Sequence, residues 1–272
     1  MADWDYLYSD AYYAFQEQDY LKGIECAGKA IEMNCDNIDI YHIRSMCLFH
    51  LDRHQEAIKD LEIYVPKKPT DYAMRMNLGI SYQKTGELEK CKIIYDQVIV
   101  EQPTYSLGYS NRAVYYVLKE MWEEAIIDYD WAETFGYEHP TVYMTRGTAY
   151  FNIHKYEEAK IDFRKYTELC RDDAIVFHQL GKLEELLKNI PAAIQYYSQA
   201  IYLEDTNDIY ITQRMLAYLG TKQNALAVED MNRLIKLNPD SIKKEVNGIQ
   251  ASVLHASLNE KGEFIMFTSE DK

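Results

Sequence analysis

The segment Tyr109-Ser110-Asn111-Arg112-Ala113-Val114-Tyr115-Tyr116, continued by Trp122-Glu123-Glu124-Ala125 and then by Tyr129 and Ala132, decides how this chain is read. A step of 34 residues forward finds Tyr143, Gly147, Tyr150, Tyr156, Ala159, Phe163 and Tyr166 in matching places, and the same step back finds Arg75, Gly79, Tyr82, Leu88, Cys91, Tyr95 and Val98. Self-similarity at a fixed period is the sequence signature of a repeat architecture. Numbering each unit from slot 1 to slot 34 divides residues 4–241 into seven repeats: 4–37, 38–71, 72–105, 106–139, 140–173, 174–207 and 208–241.

Each unit carries two apolar stripes at helical spacing with a break between them, as at Gly86, which predicts a pair of helices. Slot 8 holds Ala11, Ser45, Gly79, Ala113, Gly147, Gly181 and Met215, and slot 20 holds Gly23, Ala57, Cys91, Ala125, Ala159, Ala193 and Ala227. Small side chains at these positions let two helices approach closely, because interaxial distance follows the residues at the contact. Large residues in slots 11 and 24 fill the space beside it. Pro69, Pro103 and Pro239 in slot 32 end second helices, having no N–H to continue the ladder. Pro140 and Pro191 fall where helices start. Pro66 comes three residues before the usual stop and is expected to shorten or bend its helix.

The slot pattern resembles the tetratricopeptide repeat: an aromatic, a Leu-Gly, a Tyr, an Ala, an aromatic, then Ala and Pro, held over residues 4–241. The resemblance implies an all-α fold, an α-solenoid of antiparallel helix pairs wound into a right-handed superhelix with first helices lining a concave groove. Repeat 1 departs most, with Asp10 and Ala14 in slots 7 and 11, as suits a terminal repeat with one neighbour. Val246, Ile249, Val253 and Leu254 predict a capping helix over 242–258. The tail 259–272, with Phe264-Ile265-Met266-Phe267, reads either as disordered or as a short extended strand.

Slots 7 and 23 co-vary within the chain. Arg44, Arg112, Arg146 and Arg214 occupy slot 7 in the same four repeats that place Asp60, Asp128, Asp162 and Asp230 in slot 23; the other three repeats lack both charges. This predicts a structural ion pair between the two helices of one repeat, since buried charges are tolerated when paired. Arginine suits the role by its two-pronged grip on a carboxylate.

The resemblance also implies that a ligand would lie on slots 2, 5, 6, 9, 12 and 13 of the first helices. By register, the candidate protein-binding residues are Tyr8, Tyr12, Phe15, His42, Met46, Phe49, Met76, Ile80, Asn111, Val114, Met144 and Phe151. They form an apolar lining rich in rings and methionine, the kind of surface that marks a contact site. One subfamily clamps a C-terminal carboxylate with Lys, Asn and Arg. Asn111 matches that pattern, but Met76, Ile80, Thr141 and Thr145 replace its other members, so no such clamp is expected.

Composition narrows the partner. The formal net charge of −15 repels phosphate backbones, so nucleic acid is not expected, whereas a basic protein partner would be attracted. No apolar run reaches the length of a membrane helix. The N-terminus has no basic region followed by an apolar run, and the five cysteines are odd in number and scattered, which reads as a cytoplasmic protein with reduced thiols. No phosphate loop, nucleophile elbow or dinucleotide motif is present, so no cofactor and no catalysis are expected. Cys47, His50 and His54 have metal-like spacing but no fourth ligand. Glu184 is unusual in slot 11, where other repeats place large side chains. The leading reading is an interaction scaffold or adaptor that holds a peptide or helix in the apolar groove. The alternative is a dedicated neutraliser of the immunity type, or a chaperone, wrapping a basic protein through the acidic surface. Self-association through the groove or the tail is a further reading.

Overall fold

The computed structural model describes residues 4–238, 256–258 and 264–266. The chain divides into two compact units, 1–138 and 139–272. The first holds α1 (Asp5–Gln16), α2 (Tyr20–Glu32), α3 (Asp39–His50), α4 (His54–Tyr64), α5 (Tyr72–Lys84), α6 (Leu88–Glu101), α7 (Ser106–Leu118) and α8 (Trp122–Thr134). The second holds α9 (Pro140–Asn152), α10 (Tyr156–Leu169), α11 (Ala174–Leu186), α12 (Ile190–Leu203), α13 (Asp208–Gly220) and α14 (Asn224–Leu237). Helices pair as consecutive antiparallel partners, α1 with α2 through α13 with α14, and each pair packs on the next within its unit.

The packing follows from the small slots. A Cβ added to Gly147 would stand 2.8 Å from the Phe163 ring, and one on Gly79 or Gly181 would strike the ring of Tyr95 or Tyr197. An aromatic in slot 24 therefore packs against the backbone of a slot-8 glycine, and Tyr95, Phe163 and Tyr197 are all fully buried. Slot 15 has a second role. Gln18, Asp52, Glu120, His154, Lys188 and Lys222 take positive φ there, as does Gly86. The same left-handed residue closes the first helix in every repeat, yet only repeat 3 supplies the glycine that adopts it without strain.

Pro66 acts as its position predicts. Helix α4 stops at Tyr64, and a 3-10 turn over Val65–Lys67 follows. Tyr64 then donates its hydroxyl to Asp71 at 3.0 Å, while the other Asp71 oxygen accepts from the Met74 amide as the N-cap of α5. Tyr166 and Asp173 repeat this arrangement at 2.8 Å in the second unit, with Asp173 capping α11.

The co-varying charges meet. Arg44 donates Nε and Nη2 to the two oxygens of Asp60 at 2.8 and 2.6 Å, and Arg112 grips Asp128 likewise at 2.7 and 2.8 Å. Arg146 binds Asp162 at 2.8 Å through both nitrogens, and Arg214 binds Asp230 at 2.9 and 2.5 Å. Arg112 also reaches Asp96 of the preceding repeat at 2.7 Å, and Arg214 the Ser198 hydroxyl at 3.1 Å. Burial raises Asp60 and Asp128 above the ordinary carboxylate range although each faces an arginine. Meanwhile the hydrogen bond that Arg44 donates to Asp60 raises Arg44. We read the pair as fully ionised with a substantial desolvation cost, so its role is to fix helix register more than to add net stability. Repeat 3 lacks the pair and instead buries Arg75, which binds Glu101 at 2.5 Å. Glu184 is buried as well, facing Lys160 at 2.7 Å and accepting from Asn189 at 2.9 Å.

The expected capping helix over 242–258 lies outside the described residues for 242–255. At 256–258 the chain is a strand, so a helix does not extend over those three residues. β1 (Ala256–Leu258) pairs antiparallel with β2 (Phe264–Met266), placing Ser257 opposite Ile265, and β2 runs beside α14.

Two measurements check these forces. Arg112→Met should lower stability by about 3–5 kcal/mol, because it strands the buried Asp128. Adding Asp128→Leu should recover most of the loss, and urea unfolding of both variants reads the difference. Nothing lies within 4 Å of a Cβ at Gly86, so Gly86→Ala should cost about 1–2 kcal/mol through backbone conformation alone. Glu120→Gly should shift the melting point the opposite way.

Candidate functional site

In the first unit, α1, α3 and the end of α4 enclose an open cavity of about 350 Å³, lined by Tyr8, Tyr12, Phe15, Gln16, Asp39, His42, Ile43, Met46 and Tyr64. The helical period explains the convergence. Tyr8, Tyr12 and Phe15 are spaced by four and three residues along α1, and His42 and Met46 by four along α3, so each set shares a face. Tyr12 is 45% exposed, with its ring edge-on to Tyr13 at 5.8 Å. Phe15 tilts against Tyr20 and His50, which stack on each other at 4.7 Å. His42 stacks on Tyr64 at 5.3 Å. The Met46 sulfur accepts from the Asn77 amide at 3.2 Å.

Five of the register-derived candidates thus come together in one place, and the others do not. Phe49 packs edge-on to His54 at 5.2 Å, and Ile80 and Val114 are half-buried on α5 and α7. Met76 is corrected: it is 2% exposed within the core of the first unit, where neighbouring helices close over slot 5, so it offers a partner no surface. Asn111 gives its amide to the Leu107 carbonyl at 2.9 Å, an ordinary bond within its own helix. In the second unit, Met144 packs against the core. Phe151 lines a smaller cavity of about 190 Å³ with Thr148, Asn152, Phe163, Gln179 and Lys182, whose ammonium lies 5.6 Å from the Phe151 ring centre.

Four lining residues, Gln16, Asp39, Ile43 and Tyr64, were not singled out from the sequence. Tyr64 belongs to a second helix and was invisible to a rule about first helices. The available signals were a tyrosine in slot 27 and Pro66 just beyond it. Asp39 occupies slot 2, one of the ligand slots of the resemblance.

The cavity carries a negative field. Burial raises the Tyr8 hydroxyl pKa and Asp39 raises it further. Burial also raises Tyr64, helped by its bond to Asp71 and by the charges of Asp71 and Asp39. His42 is lowered by burial, with Asp71 and Asp39 pulling the other way. His42 therefore stays neutral at neutral pH. Cys47, His50 and His54 do not act together: burial pushes the Cys47 thiol up to about 11, His50 stacks on Tyr20, and His54 meets Ser81. Among the described residues no three His, Cys, Asp or Glu side chains are placed to hold a metal ion. All five cysteines are free, and no described helix is long and apolar enough to cross a membrane.

The His42 environment is testable by NMR titration of its ring. The His42 pKa should fall below the ordinary value of about 6.5. Asp71→Asn should lower it further by removing a carboxylate that favours the charged ring. An unchanged or higher value in that variant would contradict the described field.

Residues 140–173 match the family model for the tetratricopeptide repeat. No curated protein matches the sequence. Among solved structures, the C-terminal part of a TPR repeat-containing protein from Cytophaga hutchinsonii is similar with a TM-score of 0.72 at 21% identity, covering 89% of this chain and 99% of that one. A tetratricopeptide repeat protein from Parabacteroides merdae gives 0.62 at 14% identity, covering 92% and 98%. YrrB, described as a TPR protein with an unusual peptide-binding site, gives 0.63 at 17% identity, covering 69% of this chain and 97% of YrrB. At these identities the likeness is one of fold. Residues 140–173 are a tetratricopeptide repeat, and the chain as a whole has the fold of the tetratricopeptide-repeat family.

Proposed function

We propose that this chain is a protein-interaction scaffold that holds a peptide or helix against the first-helix face of its first unit. The contact centres on Tyr8, Tyr12, Phe15, His42 and Met46. The observation that carries this reading is the open, ring-lined cavity of about 350 Å³ beside an exposed Tyr12. Tyrosine supplies large contact area with few rotors to immobilise, and methionine adapts to differing shapes. The fold likeness to YrrB, whose description names a peptide-binding site, supports the class of partner. The reading includes no catalytic step and no cofactor.

The net charge of −15 favours a second reading, a neutraliser or chaperone that wraps a basic protein. The two differ in salt response: charge-steered association weakens with ionic strength, whereas apolar burial does not.

Peptides selected from a displayed library should be measured by fluorescence anisotropy against the wild type and a Tyr12→Glu, Met46→Glu variant with unchanged helicity and melting. The expected outcome is a loss of affinity of about tenfold or more in the variant at both low and high salt. Affinity kept by the variant but lost in high salt would move the site to the acidic surface.

A further inference from the structure

We infer that the cavity between α1, α3 and α4 takes a cationic side chain, the ammonium or guanidinium of a lysine or arginine in the bound peptide, held over its rings and against Asp39. This rests on the scaffold reading and names the chemistry of its central contact.

The lining supplies the parts such a side chain requires. Tyr8, Tyr12, Phe15 and Tyr64 present four aromatic rings to one space, and a cation over an aromatic face is attracted by the ring quadrupole. The volume of about 350 Å³ sits at the small end of ligand pockets, so it suits one long side chain better than a bulky cofactor. Asp39 is part of the wall, and Asp71 stands behind Tyr64, accepting its hydroxyl at 3.0 Å. The same two carboxylates act on Tyr64 and His42, and Asp39 acts on Tyr8. The lining contains no lysine or arginine. Arg44, on the same helix as His42, is committed to Asp60. His42 adds no positive charge of its own, because burial keeps it neutral.

Lys68 shows that an ammonium can stand at the rim. Its Nζ lies 3.5 Å from Asp39 Oδ1, with the two side chains 46% and 40% exposed. Such an exposed pair is weak and readily exchanged, so an incoming cation would compete with Lys68 for Asp39. A carboxylate-bearing group would instead meet two like charges, with Lys68 at the rim already paired to one of them.

The direct probe is n-butylammonium, the end of a lysine side chain, against 1-pentanol, a neutral molecule of similar length. Both are titrated into the full chain while NMR follows the rings of Tyr12 and His42. Butylammonium should bind about two- to fivefold more tightly than pentanol. Asp39→Asn should abolish that preference, and Lys68→Gln should strengthen it. Equal binding of the two probes, an Asp39→Asn variant that keeps the preference, or no response at the cavity rings would each overturn the proposal. In the peptides selected above, lysine replaced by norleucine should lose affinity. If it does not, while Tyr12→Glu with Met46→Glu still abolishes binding, the cation proposal fails and the scaffold reading stands. If that double variant binds normally, the scaffold reading of this face fails instead, and the butylammonium titration alone judges the cavity.

Discussion

The structure depends on how closely two helices of a repeat can approach. A ring in slot 24 rests on the backbone of slot 8, as Phe163 rests on Gly147, Tyr95 on Gly79 and Tyr197 on Gly181. A single added methyl group would collide with the ring, so the spacing is fixed by sterics and not by average hydrophobicity. Dense interiors transmit such a constraint. Once the two helices are set at this distance, slots 7 and 23 face each other one position away, and the arginine fork reaches its aspartate without distortion. The ion pairs act separately from the glycine contacts, since of those three repeats only that of Gly147 and Phe163 carries one, Arg146 with Asp162. They penalise any slip of register, because a shift would leave a buried carboxylate alone.

This hierarchy explains what the sequence could disclose. The helix pairs, their period and the partners of Arg44, Arg112, Arg146 and Arg214 were legible because each repeat is an internal comparison for the others. Pro66 was legible because φ at proline is fixed. Features that occur in one or two repeats were harder to see. The Tyr64–Asp71 bond, which caps α5 while presenting a ring to the cavity, recurs only as Tyr166–Asp173. The pair of buried Arg75 with exposed Glu101 occupies slots where no other repeat places both charges. Met76 shows the limit of register as a guide: slot 5 is open at Tyr8 and His42 but closed at Met76, since exposure depends on the bulk of neighbouring side chains as well as on the face of the helix.

The candidate site is therefore partly a property of the fold and partly an accident of particular residues. First-helix positions supply Tyr8, Tyr12, Phe15, His42 and Met46 by periodicity. Tyr64 enters because Pro66 ends α4 early, and Asp39 because α3 begins with an acid. The result differs from the outer face of the same unit, where Ile93, Ile127 and Trp131 are also exposed, at 57%, 55% and 48%, but line no cavity among the described pockets. Exposed apolar area alone would not separate the two faces. Enclosure, ring geometry and a one-signed electrostatic environment do.

The central claim is that partners meet the first-helix face of the first unit. Carbene footprinting of the chain with and without a selected peptide compares the two faces in one experiment. The account predicts protection at Tyr12, Phe15 and Met46 with labelling at Ile93, Ile127 and Trp131 unchanged. Protection of Ile127 and Trp131, with Tyr12 and Met46 labelled as in the free chain, would contradict it.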